Sequence, residues 1–246
     1  MQILKTLKRN TIDRLFKSKM KAKITEGVDP SIFEDWELWE QKWTQRKINR
    51  IWRKKVRERV WRQDEAYELV AEHCARHGQT VLDIGSGGGI QYAAIKDYHP
   101  ELDYTGMDIT PKMLSVACSL FPDVKFDWGD AAEMQYDDDQ FDVAFLRHVL
   151  EHHPIQNVQK ILQEALRVAK NAVLVLFFIE PQDMEQDVIV KQKESGFYLN
   201  TYSRRWLEQE IAGATGGNYT LEVIQIPKTD DSPALYDQAL WVIAKQ

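Results

Sequence analysis

Apolar positions along this chain recur with two different periods, and their alternation predicts an architecture. From residue 64 onward, apolar residues three and four apart read as helices over 64–77, 90–98, 111–120, 155–169 and 203–211. Between them lie short apolar runs that read as strands: 81–84, 102–107, 124–126, 141–146 and 172–179, with two closing strands at 221–226 and 239–244. The punctuation agrees. Gly78 ends the first helix, Thr110-Pro111 offers an N-cap with proline at the first helical position, and Ser203 caps the last. Strands alternating with helices predict an α/β fold, a Rossmann-like, doubly wound and mostly parallel seven-stranded sheet covered on both faces. The longest clean apolar run, Ala172–Ile179, has eight residues. That is too short for a bilayer span and reads as a buried strand.

The first 62 residues differ. Residues 1–24 place Leu4, Leu7, Leu15, Phe16 and Met20 at rough helical spacing among eight Lys and Arg. After a break at Asp29-Pro30-Ser31, residues 32–62 resume as a helix-rich stretch with Trp36, Trp39, Trp43, Trp52 and Trp61. Spacings of three and four put Trp36, Trp39 and Trp43 on one face. We therefore divide the chain into a basic, Trp-rich helical N-terminal extension (1–62) and an α/β domain (63–246). Charge sharpens the division. The extension carries 18 Lys and Arg against 8 Asp and Glu, a net +10, and the remainder 14 against 30, a net −16. Such an extension either packs its Trp stripe on the domain as a cap or faces an anionic partner, RNA or a membrane surface.

Cysteine use adds little. Cys74 and Cys118 fall in helical segments, read as buried small hydrophobes, and show no zinc-like spacing. The basic N-terminus lacks the apolar core of a secretory signal, so a cytoplasmic location is the default expectation.

One stretch carries the chemistry. In Thr80-Val-Leu-Asp83-Ile-Gly85-Ser86-Gly87-Gly88-Gly89-Ile90, an apolar strand runs into four glycines among five residues. Glycine so placed lets a ligand approach the backbone closely. The dinucleotide fingerprint fails, because Ile90 stands where Gly or Ala is needed, and the phosphate-cradling G-x-x-x-x-G-K-[ST] is absent. No basic residue lies near the turn and Asp83 sits at its mouth, which suits a ligand with positive charge and no phosphate.

Asp83-x-Gly85-x-Gly87-x-Gly89 resembles motif I of the class I S-adenosylmethionine-dependent methyltransferases. The later segments agree, each after its expected strand: Asp108-Ile109, Asp130-Ala131, and Phe141-Asp142 followed by Arg147-His148-Val-Leu-Glu151-His152-His153, very like the "HVLEH" branch that acts on small molecules. The resemblance covers about residues 64–246. It implies S-adenosylmethionine as cofactor, with the Gly85-Ser86-Gly87 and Gly89 backbone along the methionyl and ribose portions. It further implies Asp83 near the ammonium, Asp108 on the ribose hydroxyls with Ile109 beside the adenine, and Asp130 with the Ala131 backbone at the adenine amine. His148 is the candidate base, and Arg147 the residue to orient an anionic group on cofactor or acceptor.

Three further expectations follow. His148, Glu151 and His152, at i, i+3 and i+4 on one helix, form the set that would bind a metal, as in small-RNA 2′-O-methyltransferases and some quinone O-methyltransferases; the expectation here is no metal. The Asn/Asp-Pro-Pro-Tyr/Phe tetrapeptide of base and glutamine methylation is replaced by Arg147-His-Val-Leu. An O- or N-methyltransferase of a small molecule or sugar is the favoured reading. An RNA or other macromolecule methyltransferase using the basic arm, and a non-catalytic cofactor-binding scaffold, are the alternatives. The segment 180–202 reads as a substrate lid, with Phe197, Tyr198 and Tyr202 lining it or packing elsewhere.

Overall fold

The structure, a computed structural model, describes residues 45–190, 199–228 and 236–246. The amphipathic stretch 1–24, the Trp36/Trp39/Trp43 stripe, Phe197 and Tyr198 lie outside the described residues.

Seven strands form one sheet: β1 (Thr80–Ile84), β2 (Asp103–Asp108), β3 (Lys125–Trp128), β4 (Phe141–Arg147), β5 (Ala169–Phe177), β8 (Tyr219–Ile226) and β9 (Gln238–Lys245). A separate pair, β6 (Val188–Ile189) with β7 (Thr201–Tyr202), lies within the segment expected to be a lid. The order in the large sheet is β3-β2-β1-β4-β5-β9-β8. The first five strands are parallel, and β9 runs antiparallel to both neighbours. Six α-helices accompany them: α1 (Gln45–Arg57), α2 (Glu65–His77), α3 (Ile90–Tyr98), α4 (Pro111–Leu120), α5 (Ile155–Val168) and α6 (Arg204–Thr215).

The expected period-2 alternation sorts the strands into two cores. Val81, Val143, Phe145 and Leu174 face Ala71 and Cys74 of α2. Leu82, Ile84, Ala144 and Leu146 face Ile161 and Leu162 of α5. Helix starts follow their caps: Asp64 accepts the Ala66 N–H at 3.1 Å, and Ser203 accepts that of Trp206 at 3.4 Å. Thr110 precedes α4 but makes no side-chain cap bond. Strand β5 starts at Ala169, three residues before the apolar run, because the ladder with β4 shifts register between Phe141 and Val143 and takes in Lys170 and Asn171.

Residues 45–63 pack directly on this domain. Ile48 of α1 is buried against Met113 and Val116 of α4. Trp61 is buried against Tyr67, Ile90 and Ala94, and its Nε1–H donates to Asp97 at 2.9 Å. Arg62 grips the same carboxylate with two bonds, at 2.7 and 2.9 Å. Both cysteines are free thiols. Cys74 is buried as expected, but Cys118 is exposed, because it lies on the outer face of α4, opposite Met113 and Val116. Among the described residues no helix is long and apolar enough to cross a membrane.

Candidate functional site

Strand order reverses between β1 and β4, so the ends of those strands open a crevice where ligands sit in open α/β sheets. From Ile84 the chain turns at once through Gly85–Gly89 into α3. Gly85, Gly87 and Gly89 have φ of 79°, 54° and 79°, the left-handed region. The Gly85 and Ser86 N–H groups donate to the Met107 carbonyl at 2.8 and 2.9 Å. The space above the turn is uneven. A methyl group on Gly85 would meet Val149 at 2.6 Å, on Gly88 the Trp52 ring at 1.9 Å, and on Gly89 Phe121 at 3.0 Å; on Gly87 it would meet nothing within 4 Å. The turn is packed at three positions and open at one.

Asp108, at the end of β2, supports the open position. Its carboxylate accepts from Gly87 N–H at 2.8 Å and Thr110 N–H at 2.7 Å. Burial pushes its pKa up, against the pull of those bonds. The Thr110 hydroxyl also donates to it; a carboxylate offers about four lone-pair positions, so one remains for a ligand. Ile109 follows, its carbonyl accepting Trp128 Nε1–H at 2.8 Å. After β3, Asp130 accepts the Ala132 N–H at 2.9 Å and, with Ala131, makes a tight turn back to Glu133. Asp83 lies beneath the turn, 2% exposed, with Tyr104 Oη–H donating to it at 2.5 Å. Burial pushes its pKa up to about 7, while the Tyr104 hydrogen bond and the nearby Arg147 charge pull it down.

The end of β4 carries two residues that point different ways. Arg147 reaches toward α2: Nη2 is 3.1 Å from Asp64, and the guanidinium lies 3.9 Å from the centre of the Tyr67 ring. Its Nε is buried and makes no hydrogen bond. His148 has φ 55°, a left-handed conformation for a non-glycine residue, which concentrates at functional sites. Its Nε2 lies 3.1 Å from Gln238 Oε1, and its ring meets Phe178 edge-on at 4.9 Å. Burial pushes its pKa well below the ordinary histidine value, with Arg147 adding to the effect, so the ring is neutral at pH 7. A neutral ring donating from Nε2 to an amide oxygen keeps a lone pair on Nδ1.

The helix expected to align His148, Glu151 and His152 does not form. His148 is left-handed, and Leu150–His152 makes a single 3₁₀ turn. Glu151 is buried and accepts the Phe178 and Ile179 N–H groups, with its pKa pushed up to about 7 by burial. Among the described residues no three His, Cys, Asp or Glu are placed to hold a metal ion. Tyr202 is core: it is 1% exposed and its hydroxyl donates to the Leu150 and His153 carbonyls at 2.7 and 2.9 Å.

Sequence reasoning missed Trp52, Lys55, Tyr67 and Gln238, which surround these residues. Trp52 and Lys55 sit in the extension that the family resemblance did not reach. Gln238 is 90 positions from His148, and the only signal it leaves is a polar residue opening an apolar strand.

Residues 82–177 match the methyltransferase domain family. That match, the strand order and the glycine turn after β1 make the chain similar to the class I S-adenosylmethionine-dependent methyltransferases. It is 32% identical over 143 residues to YcgJ, an uncharacterised methyltransferase of Bacillus subtilis, covering 54% of each chain. It is 31% identical over 105 residues to ajmaline N-methyltransferase of Rauvolfia serpentina, covering 40% of this chain and 35% of that one. The chain thus spans between about a third and just over half of these curated relatives. Among solved structures, that of YcgJ has a TM-score of 0.57 at 18% identity, covering 74% of this chain and 98% of its own. The 1,6-didemethyltoxoflavin-N1-methyltransferase of Burkholderia thailandensis, solved with its substrate and S-adenosylhomocysteine, has a TM-score of 0.58 at 15% identity, covering 80% and 87%.

Proposed function

We propose that this protein transfers a methyl group from S-adenosylmethionine to an oxygen or nitrogen atom of a small molecule. The observation that carries the reading is the glycine turn: left-handed, braced by Asp108, and open only above Gly87. The donors fit the cofactor. Asp108 has a lone pair left for a ribose hydroxyl, Ile109 and the Asp130-Ala131 turn would line the adenine side, and Asp83, buried beneath the turn, puts its carboxyl near the cationic end. When bound, the cofactor supplies a sulfonium methyl group whose leaving group needs no proton.

The chain's own residues then position the acceptor. The acceptor's lone pair would take that methyl group, and any proton on the acceptor atom must then be given up to a neighbouring base or to water. His148 Nδ1 is a neutral hydrogen-bond acceptor, fixed by Gln238 and Phe178 at the end of β4. Its low pKa makes it a weak base. Its larger contribution is therefore to orient an O–H or N–H acceptor in line, with proton removal secondary. Two relatives favour small-molecule acceptors, since their names specify ajmaline and 1,6-didemethyltoxoflavin.

The test is transfer of a radiolabelled methyl group to a panel of hydroxy- and amino-heterocycles. With an acceptor in hand, His148→Gln should lower kcat more than about tenfold while S-adenosylhomocysteine affinity stays within about twofold. Unchanged turnover would remove His148 from the reaction.

A further inference from the structure

Three aromatic rings stand in a row across the ends of three neighbouring strands. His148 directly follows β4, Phe178 directly follows β5, and Tyr236 comes two residues before β9. These strands are adjacent in the sheet, and β9 runs antiparallel to β5, so its start lies at the carboxyl ends of β4 and β5. The Phe178 ring meets that of His148 at 4.9 Å between centres and 74° between planes, and that of Tyr236 at 5.4 Å and 71°. Each ring is held by its own anchor. Gln238 holds His148, and Glu151 accepts the Phe178 N–H. Beside Tyr236, the Asp237 carbonyl accepts the Glu180 N–H at 2.9 Å and its carboxylate accepts the Lys228 N–H at 2.7 Å.

The row is not closed over as a core would be. His148 and Phe178 are half-buried, and Tyr236 is 40% exposed. Among the described residues the exposed large hydrophobics are Ile189, Val190 and Tyr236. All three lie in two segments, 180–190 and 236–237, that the Glu180–Asp237 hydrogen bond ties together. Residues 178–190 and 236–238 carry Glu180, Asp183, Glu185, Asp187 and Asp237, and no Lys or Arg. Those five carboxylates outnumber the two guanidinium groups that α6 brings to the segment, Arg204 on Glu180 and Arg205 on the Glu185 carbonyl. Partly exposed rings favour stacking with a further aromatic ring, and ring faces attract cations, whereas the surrounding carboxylates repel anions. We propose that His148, Phe178 and Tyr236 form the acceptor subsite and that the acceptor is a planar aromatic molecule without acidic groups, packed on the Phe178 and Tyr236 rings with the atom to be methylated beside His148. The proposal rests on the reading of the glycine turn as the cofactor site, because the crevice between β1 and β4 adjoins the His148 end of the row. Tyr236 then selects the acceptor without touching the cofactor.

The test uses the full chain with radiolabelled S-adenosylmethionine and a panel of phenols, anilines and hydroxyquinolines. Each is matched with its ring-saturated and its carboxylated counterpart, as aniline is with cyclohexylamine and 4-aminobenzoate. The label should enter the uncarboxylated aromatic members at least about tenfold faster than either counterpart. For the best of them, Tyr236→Leu, which keeps apolar bulk but not the ring, should raise KM about tenfold and leave kcat within about threefold, with S-adenosylhomocysteine affinity unchanged. Tyr236→Phe, which restores the ring, should recover most of the KM. Preferred methylation of the saturated or carboxylated counterparts would overturn the proposal. So would an unchanged KM in Tyr236→Leu, or a loss shared equally by kcat and S-adenosylhomocysteine affinity, which would reduce Tyr236 to a structural role. Wild type that binds S-adenosylhomocysteine but methylates no aromatic member leaves the cofactor site standing and overturns the acceptor subsite. Wild type that does not bind S-adenosylhomocysteine refutes the cofactor site, and the subsite with it.

Discussion

Substituting Gly87 by alanine separates the demands of folding from those of the ligand. The residue sits at φ 54°, and an added Cβ would meet no atom within 4 Å. The folded state therefore suffers only the backbone penalty of a left-handed alanine, roughly 1–2 kcal/mol. For a chain of this size that lowers the melting temperature by roughly 2–8 °C. The same methyl group projects into the one open position of the turn, where the cofactor must lie. Crowding there is worth roughly 1–3 kcal/mol, so S-adenosylhomocysteine affinity should fall roughly 5- to 150-fold. Gly88→Ala is the contrasting variant: its methyl group would lie 1.9 Å from the Trp52 ring, so it should displace α1 and cost more stability. Differential scanning fluorimetry and calorimetric titration on both variants give the two quantities independently. A Gly87→Ala protein with a modestly lowered melting temperature and wild-type affinity would refute the reasoning, because the space above Gly87 would then be empty in the complex.

Two more perturbations follow from the buried carboxylates. Asp108→Asn removes the charge that would hold the ribose and should weaken S-adenosylhomocysteine and 5′-methylthioadenosine alike, about tenfold or more from one charge-assisted bond; affinity within threefold would move the ribose elsewhere. Glu151, raised by burial from 4.5 to about 7, binds a proton in the folded chain that the unfolded chain has released within that window. Stability therefore falls as pH rises from about 4.5 to about 7. Glu151→Gln keeps an acceptor for the Phe178 N–H and removes the titration, so its denaturation midpoint should gain on wild type between about pH 5 and about pH 8; parallel profiles would contradict this.

The legible parts of the fold were those with strong local signals. Helix α3 occupies the residues its periodicity predicts, and Asp64, Pro111 and Ser203 mark helix starts, because caps and proline act on adjacent backbone. The start of β5 was less legible, since the ladder with β4 extends it past the apolar run through Lys170 and Asn171. Within the site, Asp83, Gly85, Gly87, Gly89 and Asp108 come together at the switch point, as strand-end residues must in this topology. The roles of neighbours were harder to read. Asp108 also braces the turn from which it was expected only to be a neighbour, and Arg147 turns toward α2 while His148 turns toward Gln238. The supposed helix through His148 breaks because that residue is left-handed, a choice imposed by tertiary contacts that no local pattern records. Trp52 belongs to a segment that the sequence left as either a packed cap or an arm for an anionic partner, and packing of Ile48 on α4 brings it to the glycine turn.

The central claim, that the crevice above Gly87 holds S-adenosylmethionine, is tested most directly by calorimetric titration of the wild-type chain with S-adenosylhomocysteine, with NAD as the control. The account predicts one-to-one binding of S-adenosylhomocysteine, with a dissociation constant of order 1–100 μM corresponding to roughly 5.5–8 kcal/mol, and no binding of NAD. No heat with S-adenosylhomocysteine, or equal binding of NAD, would contradict it.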